Sequence, residues 1–334
     1  MKWFAAHGRE LPWRGIGDAY GIWVSEIILQ QTRIDQGTEY WLRFMERFPT
    51  VESLAAARED EVLRVWQGLG YYSRARNMYA AARQIVAQGS FPRTIEGLRA
   101  LKGVGDYTAA AVGSMAFGLP VAAVDGNVYR VLARHYGIDV PINTTRGKHT
   151  FEALAQELLP HDKPSDFNQA MMDFGATWCT PRSPRCLDCP VAATCEAFRS
   201  GRVEALPVKE KKLKIQERRF SYIYLRHEGK TALRRRPAGD IWQGLWEPLF
   251  IEEGPLPDLG CPLTLLAHGV KHVLTHRVLL ADFYLAEPST APQLLDSYQW
   301  VDEQDIGNYA LPRLVEKLLA LLENKERSSD EDRS

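Results

Sequence analysis

The chain has 334 residues, of which 45% are apolar and nine are tryptophan, and its formal net charge is −1. That length suits two packed cores, and the near-zero charge excludes a global basic field, so any nucleic-acid contact must come from local patches and backbone amides. No apolar run is long enough for a membrane span. The opening Met1-Lys2-Trp3-Phe4 carries no apolar signal region, so a cytoplasmic, reducing setting is expected.

Apolar periodicity predicts helices over residues 19–33, 38–47, 53–57, 59–67, 74–88, 94–101, 107–117, 127–136, 145–159 and 166–177. Turn signals separate them, among them Phe48-Pro49, Gly68-Leu-Gly70, Gly103-Val-Gly105 and Gly118-Leu-Pro120. Residues 1–200 therefore form a helical domain. Residues 201–219 are basic and lack an apolar face, which predicts a linker, either a solvated tether or a DNA-facing strip. Beyond it, residues 220–226, 230–236, 245–250, 272–280 and 281–285 alternate as short strands, and Leu314, Val315, Leu318, Leu319 and Leu322 mark a helix over 312–323. Residues 220–323 are thus a second, α+β domain, and the charged tail 324–334 is expected to be disordered.

Cys179, Cys186, Cys189 and Cys195 stand in one proline-bounded loop with six, two and five residues between them. In a reducing compartment such a cluster binds metal rather than forming disulfides. Four thiolates suit either a zinc ion or an iron–sulfur cluster, and only one Cys-x-x-Cys knuckle is present where zinc ribbons show two.

Two further features carry chemistry. Gly103 and Gly105 lie in Leu101-Lys-Gly-Val-Gly-Asp106 between two helical stretches. They allow a tight turn whose outward amides bind phosphate, although a plain interhelical turn has the same pattern. Glu26 lies inside the apolar run Ile22-Trp-Val-Ser-Glu-Ile-Ile-Leu-Gln-Gln-Thr32, on one helix face with Ile22 and Gln30. A carboxyl there needs a partner or a raised pKa, and a raised pKa is what a general acid requires. Asp125, in Val124-Asp-Gly-Asn-Val128, opens the next helix as an N-cap or as a second catalytic carboxylate.

Leu11-Pro-Trp-Arg14, the Glu26 run, Gly68-Leu-Gly-Tyr-Tyr-Ser-Arg-Ala-Arg-Asn77, the Gly-Val-Gly hairpin, Val124–Val128, Phe167-Asn-Gln-Ala-Met-Met-Asp-Phe-Gly-Ala176 and the cysteine loop occur in that order. Together they resemble the MutY-type adenine DNA glycosylases of the helix–hairpin–helix superfamily. The resemblance implies a multidomain protein: an all-α core with a six-helix barrel module over about 18–125, an iron–sulfur module from the N-terminal segment plus about 126–200, and a Nudix-like domain. It also implies a [4Fe–4S] cluster on the four cysteines and a monomer acting on double-stranded DNA with adenine opposite 8-oxoguanine or guanine.

In that family's chemistry, Glu26 would protonate the flipped adenine and then activate water, while Asp125 would stabilise the oxocarbenium ion. Tyr107 would sit near Asp125, and Asn127 would orient Asp125 or the sugar. Arg14 and Gln169 match residues that contact adenine, and Gln31 and Tyr71 match residues that wedge into the duplex. Thr275 and His276, in Leu274-Thr-His276, match a lesion-reading loop that usually begins with an aromatic residue. No Nudix catalytic box is present, which argues against a nucleotide-pool hydrolase. Two rivals remain: an endonuclease III-like glycosylase/lyase, which needs a lysine where Tyr107 stands, and a non-catalytic damage-binding protein.

Overall fold

The computed structural model describes residues 1–210, 216–274 and 277–331. The chain folds into two compact units, Met1–Ala57 with Asn77–Lys211, and Arg58–Arg76 with Lys212–Ser334.

The first unit is helical. It contains α1 (Lys2–His7), α2 (Ala19–Leu29), α3 (Ile34–Arg47) and α4 (Val51–Ala56), and, after α5 (Glu59–Val65) of the other unit, most of α6 (Ser73–Gln88). It continues with α7 (Ile95–Arg99), α8 (Asp106–Phe117), α9 (Gly126–Tyr136), α10 (Thr145–Leu158), α11 (Pro164–Thr177) and α12 (Glu196–Arg199). Helix α2 starts because Asp18 caps the amides of Tyr20 and Gly21 at 3.1 and 2.8 Å. It is apolar all round and buried from Tyr20 to Ile28. It stops at Leu29 rather than Arg33, because Gln31 turns into the left-handed region at φ 61°.

Between α7 and α8 the expected hairpin forms. Gly103 needs its glycine, since φ is 77° and a Cβ would come 2.5 Å from Asn77 Cβ. Gly105 is an extended N-cap of α8 that any residue could adopt. Both glycines are exposed.

The second unit is built on β1 (Gln216–His227), β2 (Lys230–Arg235), β3 (Trp246–Glu247), β4 (Leu249–Glu252), β5 (Leu263–Val273), β6 (Arg277–Ala286) and β7 (Tyr298–Asp302), closed by α13 (Arg313–Glu331). The strand path is β3-β2-β1-β6-β5, with β4 on β1 and β7 on β2. β1 and β6 are parallel, with Phe220 opposite Ala281. Side chains alternate as the pleat requires. Phe220, Tyr222 and Tyr224 pack with Leu314, Val315, Leu318 and Leu322 of α13, whereas Ile223 and Leu225 face the other core with Ala232 and Ala286.

Three boundaries differ from expectation. Within the predicted linker over 201–219, Leu206 is buried against α9 and α10, the Ile142 amide donates to Val208 O at 3.0 Å, and residues 216–219 already belong to β1, while 211–215 lie outside the described residues. The predicted strand over 272–280 is a hairpin, in which β5 ends at Val273 and the Leu274 amide donates to Arg277 O at 2.8 Å. The tail expected to be disordered from 324 continues α13 to Glu331, since Glu, Lys and Arg are good helix formers in spite of their charge.

Candidate active site

A cavity of about 320 Å³ in the helical unit is lined by Arg9, Arg14, Glu26, Gln30, Gln31, Tyr107, Asp125, Asn127, Gln169 and Asp173, among others. Residues from five separate stretches of chain thus meet in one place, and the volume is that of a small-ligand site.

Glu26 is 7% exposed. Burial pushes its pKa up to about 7, against the opposing pull of a Tyr107 hydrogen bond and the Arg14 cation, while Asp125 adds to the rise. The Tyr107 hydroxyl donates to Glu26 Oε2 at 2.7 Å, and Asp125 also lies near enough to raise the Tyr107 pKa. The reason is packing: Tyr107 lies in the first turn of α8, and α8 packs directly on α2, which carries Glu26.

Asp125 caps α9 and also lines the cavity. As N-cap of α9 its Oδ1 accepts from the amides of Asn127 and Val128 at 2.9 and 2.8 Å, and its Oδ2 accepts from Asn127 Nδ2 at 2.7 Å. Burial raises its pKa, but those three donors and Arg130 oppose the rise. Asn127 is held in turn, because Arg130 Nη2 donates to its Oδ1 at 2.7 Å. Gly175 is required beside it, since a Cβ there would come 2.6 Å from Asn127 Cβ. Buried Asn168 fixes the segment leading to Asp125: its Oδ1 accepts from the Ala123 amide, and its Nδ2 donates to Ser114 Oγ and Val121 O, all at 2.9 Å.

Gln30 Nε2 donates to Thr108 Oγ1 at 3.3 Å, and Gln169 Nε2 to Ser165 Oγ at 3.0 Å. Gln31 is exposed at the cavity. Tyr71, 50% exposed with φ 47°, lines a different cavity, of about 690 Å³, in the second unit together with Leu274, His272 and Trp242. Thr275 and His276 lie outside the described residues.

Cys179, Cys186, Cys189 and Cys195 line one further cavity. Among the described residues no three His, Cys, Asp or Glu side chains converge to hold a single metal ion. Four thiols lining one space are a donor set for either a zinc ion or an iron–sulfur cluster. Burial and the neighbouring thiols raise the pKa of Cys186 and Cys189, so several thiolates together require a cationic guest. Arg134, 3% exposed, braces the loop by donating to Thr180 O at 2.7 Å and approaching Cys179 Sγ at 3.5 Å. Arg130 Nε donates to Cys179 O at 2.7 Å, which links this loop to Asn127.

Comparison with known proteins agrees with this arrangement. The model of the HhH-GPD superfamily of base excision DNA repair proteins matches residues 24–161, and a NUDIX domain model matches residues 221–321. The adenine DNA glycosylase of Buchnera aphidicola subsp. Acyrthosiphon pisum is 30% identical over 335 residues, covering 96% of this chain and 95% of that protein. The chain belongs to the adenine DNA glycosylase family. The Mus musculus adenine DNA glycosylase is 42% identical over 221 residues, which are 62% of this chain and 43% of the mouse protein, so the chain spans less than half of that relative. A thermostable thymine-DNA glycosylase structure superposes with a TM-score of 0.55 at 31% identity, over 60% of this chain and 93% of that one.

Sequence reading missed Arg9, Arg130, Arg134, Asn168 and Asp173. The one available signal was Arg130 and Arg134, four residues apart on a helix whose neighbours Val128, Val131 and Leu132 are apolar.

Proposed function

We propose that this protein removes adenine from duplex DNA where it pairs with 8-oxoguanine or guanine, by hydrolysis and without strand cleavage. The observation that carries the reading is Glu26, buried beside a second carboxylate and pushed to about 7. At neutral pH such a group supplies a proton, whereas an ordinary glutamate cannot. Adenine flipped into the cavity would take that proton at N7 and become a leaving group. Asp125, whose charged form its three donors and Arg130 favour against burial, would face the sugar and stabilise the oxocarbenium ion. Glu26, now a base, would then activate water. Exposed amides around Gly103 and Gly105 offer a phosphate contact, and Gln31 and Tyr71 supply wedges for the gap left by the base.

Cys179, Cys186, Cys189 and Cys195 would hold a [4Fe–4S] cluster, whose contribution is structural and DNA-positioning. The second unit, through the loop at Leu274, Thr275 and His276, would read 8-oxoguanine. A lyase is disfavoured because a Schiff base needs an amine, and no lysine is among the described residues lining the cavity.

The test is incubation with duplexes bearing adenine opposite 8-oxoguanine, guanine, cytosine or thymine, with and without alkali. Cleavage of the adenine strand only after alkali, fastest opposite 8-oxoguanine, is expected. Strand nicking without alkali, with a borohydride-trapped adduct, would point to the lyase instead. Purified protein should be brown and contain iron; zinc at full occupancy without iron would overturn the cluster.

A further inference from the structure

A buried ion pair in the wall of the catalytic cavity has no part in the chemistry above. Asp173, on α11, is fully buried. Arg14 reaches it with two nitrogens, Nη1 to Oδ2 and Nη2 to Oδ1, both at 2.8 Å. Arg14 Nη1 also donates to Arg9 O at 2.7 Å. Arg9 adds its amide to Oδ2 at 3.0 Å and its Nε to Oδ1 at 2.9 Å. Asp173 therefore gathers two arginines of the segment after α1 against α11, in the same cavity as Glu26.

This arrangement answers an electrostatic problem. A guanidinium beside a buried carboxyl favours its ionised form, and Arg14 acts on Glu26 in that direction. An acid that must keep its proton at neutral pH is poorly served by a bare cation. A carboxylate locked onto that cation offsets it, and the bidentate geometry fixes where the charge sits. The other polar groups facing Glu26 are Tyr107 from α8, Asp125 at the head of α9, Gln30 from the end of α2 and Arg9. Among these, Asp125 raises the acid's pKa, and the Tyr107 hydrogen bond lowers it.

We infer that Asp173 is a positioning residue for the acid: it holds Arg14 in the cavity wall and offsets its charge against Glu26. A role limited to fastening the N-terminal segment onto α11 would lower stability or affinity but leave the acid's titration alone. The two roles therefore separate in a pH profile.

The experiment rests on the adenine-excision reading and uses the full chain in single turnover, with enzyme in excess over a duplex bearing adenine opposite 8-oxoguanine, from pH 5.5 to 9. In wild type, excision should fall as Glu26 loses its proton at about 7. In Asp173→Asn that limb should move down by about one pH unit, giving about tenfold slower excision at pH 8 and a gap that narrows as pH falls. Asp173→Glu, which keeps the charge, should return the limb toward its wild-type position. Arg14→Met should move it up, and adding Asp173→Asn to Arg14→Met should then shift it far less than Asp173→Asn shifts wild type. A limb unmoved in Asp173→Asn overturns the inference. Should that variant not fold, a limb left at its wild-type position in Arg14→Met does the same. A wild type that excises no adenine fails the functional reading instead, a distinct result.

Discussion

Glu26 in the helical unit and Glu247 in the Nudix-like unit are both buried carboxyls, 7% and 0% exposed, and burial raises the pKa of both, but the partners given to them differ. Glu247 accepts from Arg234 Nε at 3.0 Å and Nη2 at 2.9 Å, and also from Arg236. Nearby Asp240 is held well below the usual carboxylate range, chiefly by Arg218, with Arg236 contributing. Charge in that unit is matched locally, and its role is to fix the sheet. Glu26 receives one hydroxyl and shares its cavity with Asp125. The contrast teaches that burial raises a carboxyl in either unit, and that the number of cations facing it sets how far the rise is opposed: two arginines at Glu247, one hydroxyl and one more distant arginine at Glu26.

The strongest way to break this comparison is Glu26→Gln. Excision should fall by at least about 10²–10⁴-fold in single turnover, while binding to lesion duplex remains. Stability should change in the other direction. The folded pKa of Glu26 lies above its unfolded value of 4.5, at about 7, so wild type loses stability as pH rises between the two. Glu26→Gln escapes that loss and should be more stable above pH 7, by on the order of 2–3 kcal/mol in urea unfolding. Wild-type excision rates, or equal stability at pH 8, would remove Glu26 from the role given to it.

The matched site should respond the other way round. Glu247→Gln removes the carboxylate that Arg234 and buried Arg236 share, leaving Arg236 with Asp240, and should cost about 1–3 kcal/mol, with the excision step of the folded fraction unaffected. A variant as stable as wild type would show that the network does not hold the unit together.

Tyr107→Phe sharpens the catalytic side. It removes the hydrogen bond that holds the Glu26 pKa down, so the alkaline limb of the pH profile should move up. The rate below that limb should fall by about tenfold, the value of one hydrogen bond to an ionised group. A limb that moves down contradicts the arrangement.

The smallest effect belongs to the second unit. Thr275→Ala with His276→Ala should reduce the preference for 8-oxoguanine over guanine opposite adenine by about 1–3 kcal/mol. An unchanged ratio, with both substrates weakened alike, assigns those residues to holding the duplex backbone.

Several of the site's residues were legible because their local context was anomalous. A glutamate inside Ile22–Leu29 has no reason to be there on packing grounds, and four cysteines within 17 residues cannot be core. Gly103 showed itself because a positive φ has few other occupants. Asp173 carried no such mark: an acidic residue in an amphipathic helix ordinarily faces water. Its burial depends on Arg9 and Arg14, more than 150 residues earlier in the chain. The hydrogen bond from Tyr107 to Glu26 was not legible in the sequence for a related reason. Its neighbour in sequence did not determine its partner; the packing of α8 on α2 did.

By itself the sequence determined the class of most segments and singled out candidate reactive groups, because periodicity, turn chemistry and cysteine spacing are local and survive without a fold. Only the tertiary structure decided which groups share a cavity, which carboxyl is left under-compensated and which is saturated. Those outcomes depend on desolvation and on charge–charge distance, and both are set when segments far apart in the chain pack together.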